Sequence, residues 1–417
     1  MKKLSKIIIY MTIALLFGFN DTAITISGIR FTLLPFLMII FTLTLIFSYK
    51  KNLKEMIINE SKRFSIFFMC FWLFWALISF IWVYDTFAWR IAINILVVGF
   101  FCAISFSLIL ENRKDILMAF RMMALASIIH NIIGWSEVIT RNYFFLTTDN
   151  VWQANPEIWN GRPVSIFFNT NNFTPYLLAS VFIFYITAVN SSKNYEKLFF
   201  YLCMASSSIL IVLSQSRISL LGLIISLLAF ICLTNMSRIR KLKDYLMKGK
   251  QKWLIAVSVL LVLILYFFLN DLFFTGENVV ADVARLRLIQ NGFRFLVSTF
   301  GRGVGAGNIS YWMMNYGVFD GYYVYQIHNW FMDILVAYGI IIFMLYITFY
   351  CGLIKNNINK LLKVNGKINR SLPIANLCVL ISFPIISIAP GTLMLHIWHW
   401  VLFGVFIAYQ KLPRDET

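Results

Sequence analysis

The stretch NWFMDILVAYGIIIFMLYITFYCGL, residues 329–353, carries one charged side chain, Asp333, in an otherwise apolar run. At ~1.5 Å of rise per residue such a run is long enough to cross the ~30 Å hydrocarbon core of a bilayer. Working outward, runs of the same kind recur near 5–19, 29–49, 65–84, 87–110, 115–139, 172–190, 197–213, 217–235, 253–270, 372–389 and 395–410. Together they predict about twelve transmembrane helices in an all-α, polytopic bundle. With 60% hydrophobic and 13% charged residues in 417, the chain holds more apolar surface than one water-soluble core can hide. One integral membrane domain over 1–417 is expected, with no soluble domain, linker or clear internal repeat.

Net charge is +18, and in a membrane chain its distribution says more than its sum. With the N-terminus inside, the inner connections hold 26 of the 36 Lys and Arg residues. The positive-inside rule therefore places both termini in the cytoplasm. The remaining cations are all arginine: Arg30, Arg90, Arg121, Arg141, Arg162, Arg217, Arg285, Arg287, Arg294 and Arg302. A guanidinium presents a rigid fork to phosphate and keeps its charge in dry surroundings, so this bias suits a phosphate ligand. Interfacial anchoring is the simpler account of the same residues.

Two outer loops exceed turn length, about 140–171 and 270–328. The first ends in Arg162-Pro163-Val164-Ser165 and Asn169-Thr170-Asn171, whose asparagines suit either hydroxyl-rich sugars or helix capping. Ser214-Gln215-Ser216-Arg217 forms the mouth of a hairpin near a helix N-terminus, where free N–H groups and an arginine favour an anion. In the second loop, 283–300 reads as a helix with Leu286, Ile289, Phe293, Leu296 and Phe300 on one stripe. That helix is expected to lie on the outer membrane surface or cap the bundle, with Arg285 nearest the stripe and able to face inward, and Arg287 and Arg294 opposite. The run Gly301-Arg302-Gly303-Val304-Gly305-Ala306-Gly307-Asn308 follows no strand and reads as a tight turn rather than a dinucleotide loop. His328-Asn329 then opens the next span, where a histidine can serve as a general base. The six cysteines sit inside apolar runs and read as buried hydrophobes. His396 and His399 lack a third ligand of metal-site type, so no metal is expected.

In this order the motifs resemble the O-antigen ligase and polysaccharide polymerase superfamily, in particular its Gram-positive capsule or teichuronic acid polymerase-like branch. The resemblance rests on Arg162-Pro163 with Asn169-x-Asn171, Ser214-x-Ser216-Arg217, Arg285 followed by Leu288-Ile289-Gln290-Asn291-Gly292, Gly303-x-Gly305-x-Gly307-Asn308, and His328-Asn329 leading to Gly339. It spans about 160–345. Departures are Arg302 within the glycine run, Ser165 where glycine is more usual, and Asp333 where glutamate is frequent.

The resemblance implies a glycosyltransferase on the outer face of the bacterial cytoplasmic membrane. An undecaprenyl-diphosphate-linked oligosaccharide would pass to a glycan acceptor, with no cofactor and no nucleic acid, among membrane lipids and other polysaccharide-export proteins. It implies Arg217 and Arg285 as diphosphate clamps and His328 as the group activating the acceptor hydroxyl. Arg162, Asn169, Asn171, Ser216, Asn329 and Arg302 would bind substrate. A ligase acting on a finished glycan shares this chemistry. A lipid-linked oligosaccharide flippase would instead place ionisable groups near the midplane of a cavity, where this sequence offers mainly Arg121 and His130.

Overall fold

A computed structural model describes residues 2–18, 24–26, 29–31, 33–49, 60–143, 145, 160–167, 169–235, 277–321, 324–364, 366–388, 390, 393–410 and 412. The predicted span at 253–270, the basic stretch 238–252, most of the first outer loop and the terminal Lys411 and Arg414 lie outside the described residues.

The architecture is a helical bundle. In order come α1 (Lys2–Gly18), α2 (Leu33–Ser48), α3 (Glu60–Ile78) and α4 (Thr86–Ile109), the last widened by a π-helical stretch at Cys102–Phe106. Then follow α5 (Arg113–Thr140), α6 (Thr170–Val189), α7 (Asn194–Leu213) and α8 (Arg217–Thr234). The second loop contributes α9 (Glu277–Ser298) and α10 (Ile309–Tyr316), and α11 (Trp330–Lys363), α12 (Lys367–Ile386) and α13 (Trp398–Gln410) close the chain. Eight of the described helices are long and apolar enough to cross a membrane. Eleven of the twelve predicted runs coincide with helices, although α1, α2 and α13 fall short of that length. One departure precedes α2. Ile24–Ile26 (β1) and Ile29–Phe31 (β2) form a small antiparallel hairpin with Thr25 opposite Arg30, so the second helix starts at Leu33 rather than 29. The β-branched Ile-Thr-Ile sequence favours that extended start.

Hydropathy does not reveal which helix is central. α6 has nearly all of its apolar window buried at a mean hydropathy of 1.5, whereas α8, at 2.3, has only about a fifth of its window buried. The reason is that α6 uses polar side chains as glue, since hydroxyls join helices where lipid is as apolar as leucine. Ser180 Oγ lies 2.9 Å from Ser127 Oγ on α5, and Thr174 pairs with Ser219 on α8. Elsewhere the same core is aromatic. Trp72 on α3 packs against Trp330, Tyr338, Tyr346 and Trp400, and Trp330 Nε1 donates to Tyr346 OH at 2.7 Å.

The glycine run does more than turn the chain. Gly301, Gly303, Gly305 and Gly307 all have positive φ, and the run threads against the backbones of two other elements. Val304 N donates to Val336 O and Gly305 N to Ala337 O, both at 2.9 Å, while Ile340 N donates to Gly301 O at 2.9 Å. These bonds pass through α11 where Gly339, at φ 83° and ψ 178°, breaks the helix in two. The carbonyls and N–H groups that the break releases are thus taken up by the glycine strand, as a broken span requires. On its other side the run meets the α3–α4 hairpin, where Ala306 N donates to Ser79 Oγ at 3.1 Å.

Asn308 anchors this junction. Fully buried, it accepts from Tyr84 N (2.9 Å) and Asp85 N (2.8 Å) and donates to Asp85 O (3.1 Å) and Ala306 O (3.0 Å). Asn308→Ala removes the acceptor of two backbone N–H groups and the donor to two carbonyls, and is expected to cost about 2–4 kcal/mol. Thermal melting of the detergent-solubilised protein checks this, and a melting point within 1–2 °C of the parent's would contradict it.

Candidate functional site

The Asn-rich and Ser-rich motifs, separated by some forty residues, meet at one end of the bundle. Asn169 is the N-cap of α6, its side chain accepting from Asn171 N at 2.8 Å. Asn171 in turn accepts from Ser216 Oγ at 2.9 Å, and Thr170 Oγ1 reaches Ser214 O at 3.4 Å. Ser216 occupies the N-cap position of α8 without making the capping hydrogen bond; its hydroxyl is turned toward Asn171 Oδ1 and lies 3.0 Å from Ser219 Oγ. The preceding Gln215 is left-handed, φ 57°. Arg217, half-buried, therefore heads a helix whose opening turn is uncapped by Ser216, an arrangement suited to an anion. Asn169 acts as the capping residue, the simpler of its two readings.

His328 sits at φ 56°, half-buried, beside Asn329, which caps α11 by accepting from Phe331 N and Met332 N at 3.1 Å. The next residue ties this corner to α12, since Trp330 N donates to Ser387 O at 3.2 Å. The neighbouring Ile386 side chain presses on Gly222 of α8, five residues and so ~7.5 Å of helix beyond Arg217. The starts of α8 and α11 are thus both held against the same end of α12. Asp333, buried one turn into α11, lines a cavity of about 200 Å³ with Ser310, Gln326, Tyr338 and the α4 residues Ala88 and Ile91.

Arg285 belongs to a different unit. α9 packs on α10 and α11, and its buried face runs through Ala284, Leu288, Asn291, Phe295 and Thr299. Of the two placements expected for the stripe, the structure does not show the one that caps the bundle: Leu286, Phe293 and Phe300 are exposed, and only Leu296 of that set is buried. At ~100° per residue, Arg285 lies about 60° from Leu288 and flanks the buried face, which accounts for its half-burial. Arg287 donates to Asp320 O at 3.2 Å and Arg294 stands 6.0 Å from the Phe319 ring, both engaged at the surface of this unit. Arg285 and Arg217 are linked through α11 and α12, which pack on each other. Arg302 is exposed and stacks 5.0 Å from the centre of the Trp82 ring.

Arg162 is half-buried on a corner held by Glu137, which the sequence did not point to, and by His130, which the sequence offered only as an intramembrane ionisable group. Glu137, fully buried at the end of α5, accepts from Val164 N and Ser165 N at 2.8 Å each. His130 Nδ1 lies 2.9 Å from Ser165 Oγ and its Nε2 2.7 Å from Gly18 O. A carbonyl only accepts, so Nε2 carries the proton and, in the neutral ring, Nδ1 accepts from the serine. Ser165 itself is left-handed, φ 50°, which agrees with a position where glycine is more usual. Gly161 N donates to Tyr143 OH at 2.9 Å, and burial raises that phenol's pKa and keeps it protonated. A single Glu or His within an apolar run gives no periodic signal, so only these contacts reveal Glu137 and the part His130 plays beside it. His399 lies among the rings of Trp330, Trp398, Trp400 and Phe403.

These helices and this corner define a polytopic helical membrane protein with an arginine- and histidine-bearing site at one end. Residues 202–347, from α7 into α11, match the family model described as O-antigen ligase. The chain is also 27% identical over 364 residues to the teichuronic acid biosynthesis protein TuaE of Bacillus subtilis (strain 168), covering 83% of this chain and 71% of the relative. The two matches support the O-antigen ligase/polymerase-like branch for this chain.

Proposed function

We propose that the protein is a membrane glycosyltransferase that polymerises undecaprenyl-diphosphate-linked oligosaccharide repeat units on the outer face of the cytoplasmic membrane, in cell-surface polysaccharide synthesis. The observation that carries the reading is the corner where the Asn171–Ser216 bond sets Arg217 at an uncapped helix start and α12 holds that start alongside His328. In this reading His328 takes the proton of an acceptor hydroxyl, whose oxygen attacks the anomeric carbon of the donor sugar. The bond from that carbon to the diphosphate oxygen breaks, and the lipid diphosphate leaves. Charge grows on the leaving group, and guanidinium groups of Arg217 and Arg285, with N–H groups of the α8 start, would stabilise it. In the same reading Arg162, Asn171 and Arg302 would contact the glycan.

A ligase that passes a finished glycan to a lipid or cell-wall acceptor uses the same groups, and the description of the matched family favours that second reading. Purified protein given a defined lipid-diphosphate repeat unit separates the two. A size ladder supports polymerisation, a single shifted product formed only with a second acceptor supports the ligase, and no product in either case removes both.

A further inference from the structure

At the opposite end of the bundle lies a cleft of about 580 Å³ between the ends of α6 and α8 and the starts of α7 and α12. Seventeen residues of α8, ~25 Å of helix, separate Arg217 from its rim at Thr234. Lys367 and Arg370 stand at the mouth, with Tyr185, Tyr201, Phe230 and Ile374 along the walls. Seven residues of α12 separate Lys367 from Ile374, so the walls descend ~10 Å below the cations. Polar charge at the rim and aromatic or aliphatic surface one to two turns deeper reproduce the profile of a phospholipid, phosphate at the interface and acyl chain beneath.

Three observations select an anionic lipid. The first turn of α12 holds no acidic residue. Among the described residues neither Lys367 nor Arg370 takes part in an ion pair. Arg370 Nη2 donates to Leu233 O at 3.0 Å, which fixes the guanidinium at the mouth and uses one of its five donors.

We propose that this cleft binds a phospholipid with a net negative headgroup, its phosphate against Lys367 and Arg370 and its acyl chain against the Tyr185, Tyr201 and Phe230 rings. The site is independent of the transfer reaction proposed above.

The full-length protein, delipidated in detergent and mixed with phosphatidylglycerol or phosphatidylcholine, provides the test by native mass spectrometry. Phosphatidylglycerol is expected to be retained at least about tenfold better, two cations near a headgroup being enough for that preference. The double variant K367Q/R370Q should lower its retention to the phosphatidylcholine level. K367Q alone keeps the Arg370 bond to Leu233 and should give an intermediate loss without a change in melting temperature. Ile374→Trp, which fills the cleft and leaves both cations, should also abolish retention. Equal retention of the two lipids, or unchanged retention in K367Q/R370Q, overturns the proposal. So does complete displacement of phosphatidylglycerol by millimolar inorganic phosphate, which would mark a site for the free anion.

Discussion

His328→Ala is expected to abolish elongation of the lipid-linked glycan, with turnover falling by roughly 10²–10⁴, the usual contribution of a positioned general base. The residue's backbone complicates the alanine variant. At φ 56° a non-glycine residue pays a conformational penalty, and asparagine tolerates that region better than alanine does. His328→Asn therefore removes the imidazole while keeping the turn that presents Asn329 to α11. The two variants should lose activity equally, with the asparagine variant melting at or above the alanine one. If His328→Asn polymerised at more than about a tenth of the parental rate, His328 would not be the base. Arg217→Lys gives a complementary result. It keeps the charge but loses the two-pronged grip on phosphate, so turnover should fall less than in Arg217→Ala, and both variants should accumulate single lipid-linked repeats.

Gly339→Ala is expected to be among the most damaging single-methyl changes in the fold. A Cβ there would lie 2.5 Å from the carbonyl carbon and oxygen of Arg302 and still nearer Gly301 O, at φ +83°. Both obstacles are backbone, so no side chain can swing away. The left-handed conformation alone costs about 1–2 kcal/mol for a residue with a Cβ. Displacing the glycine strand would also break its hydrogen bonds to Val336, Ala337 and Ile340, so the loss should exceed about 3 kcal/mol. Gly303→Ala should behave alike, since its Cβ would meet Ala337 O and Gly339 N at 2.6 Å. Gly352→Ala is the control. Nothing lies within 4 Å of its position, and alanine in a helix interior is favoured over glycine by roughly 0.5–1 kcal/mol. Melting curves of the three variants test this ordering, and a Gly339→Ala protein as stable as Gly352→Ala would refute the splice between the glycine run and α11.

How much of the site was legible depends on the range of the interactions that build it. Arg217, His328 and Asn329 announce themselves as polar residues at the ends of apolar runs, where a bilayer tolerates them. The Asn169-x-Asn171 and Ser214-x-Ser216 motifs are likewise visible, but the bond between Asn171 and Ser216 is a relation between helices that no local pattern encodes. α9 shows how periodicity misleads. Leu286, Ile289, Phe293 and Leu296 do form a stripe, yet the buried face is centred on Leu288 and Phe295. In a membrane protein an apolar stripe can face lipid as readily as protein, so a hydrophobic period identifies the helix without identifying its inner side. Leu288 and Phe295 pack because Ile327, Met313 and Val336 happen to meet them, and Asn291 is held by the backbone of Val318 and Phe319.

By itself, then, the sequence determined the class of molecule and the position of most spans, because hydrocarbon admits only long apolar helices, and that demand acts on each segment separately. The tertiary structure alone decided that Gly339 breaks α11 and that the glycine run satisfies the break. It also decided that Glu137 and His130 hold the Arg162 corner and that α12 brings the starts of α8 and α11 to one place. Each of these depends on hydrogen bonds and close backbone contacts between residues tens to hundreds of positions apart, and such contacts come into being only when the helices pack.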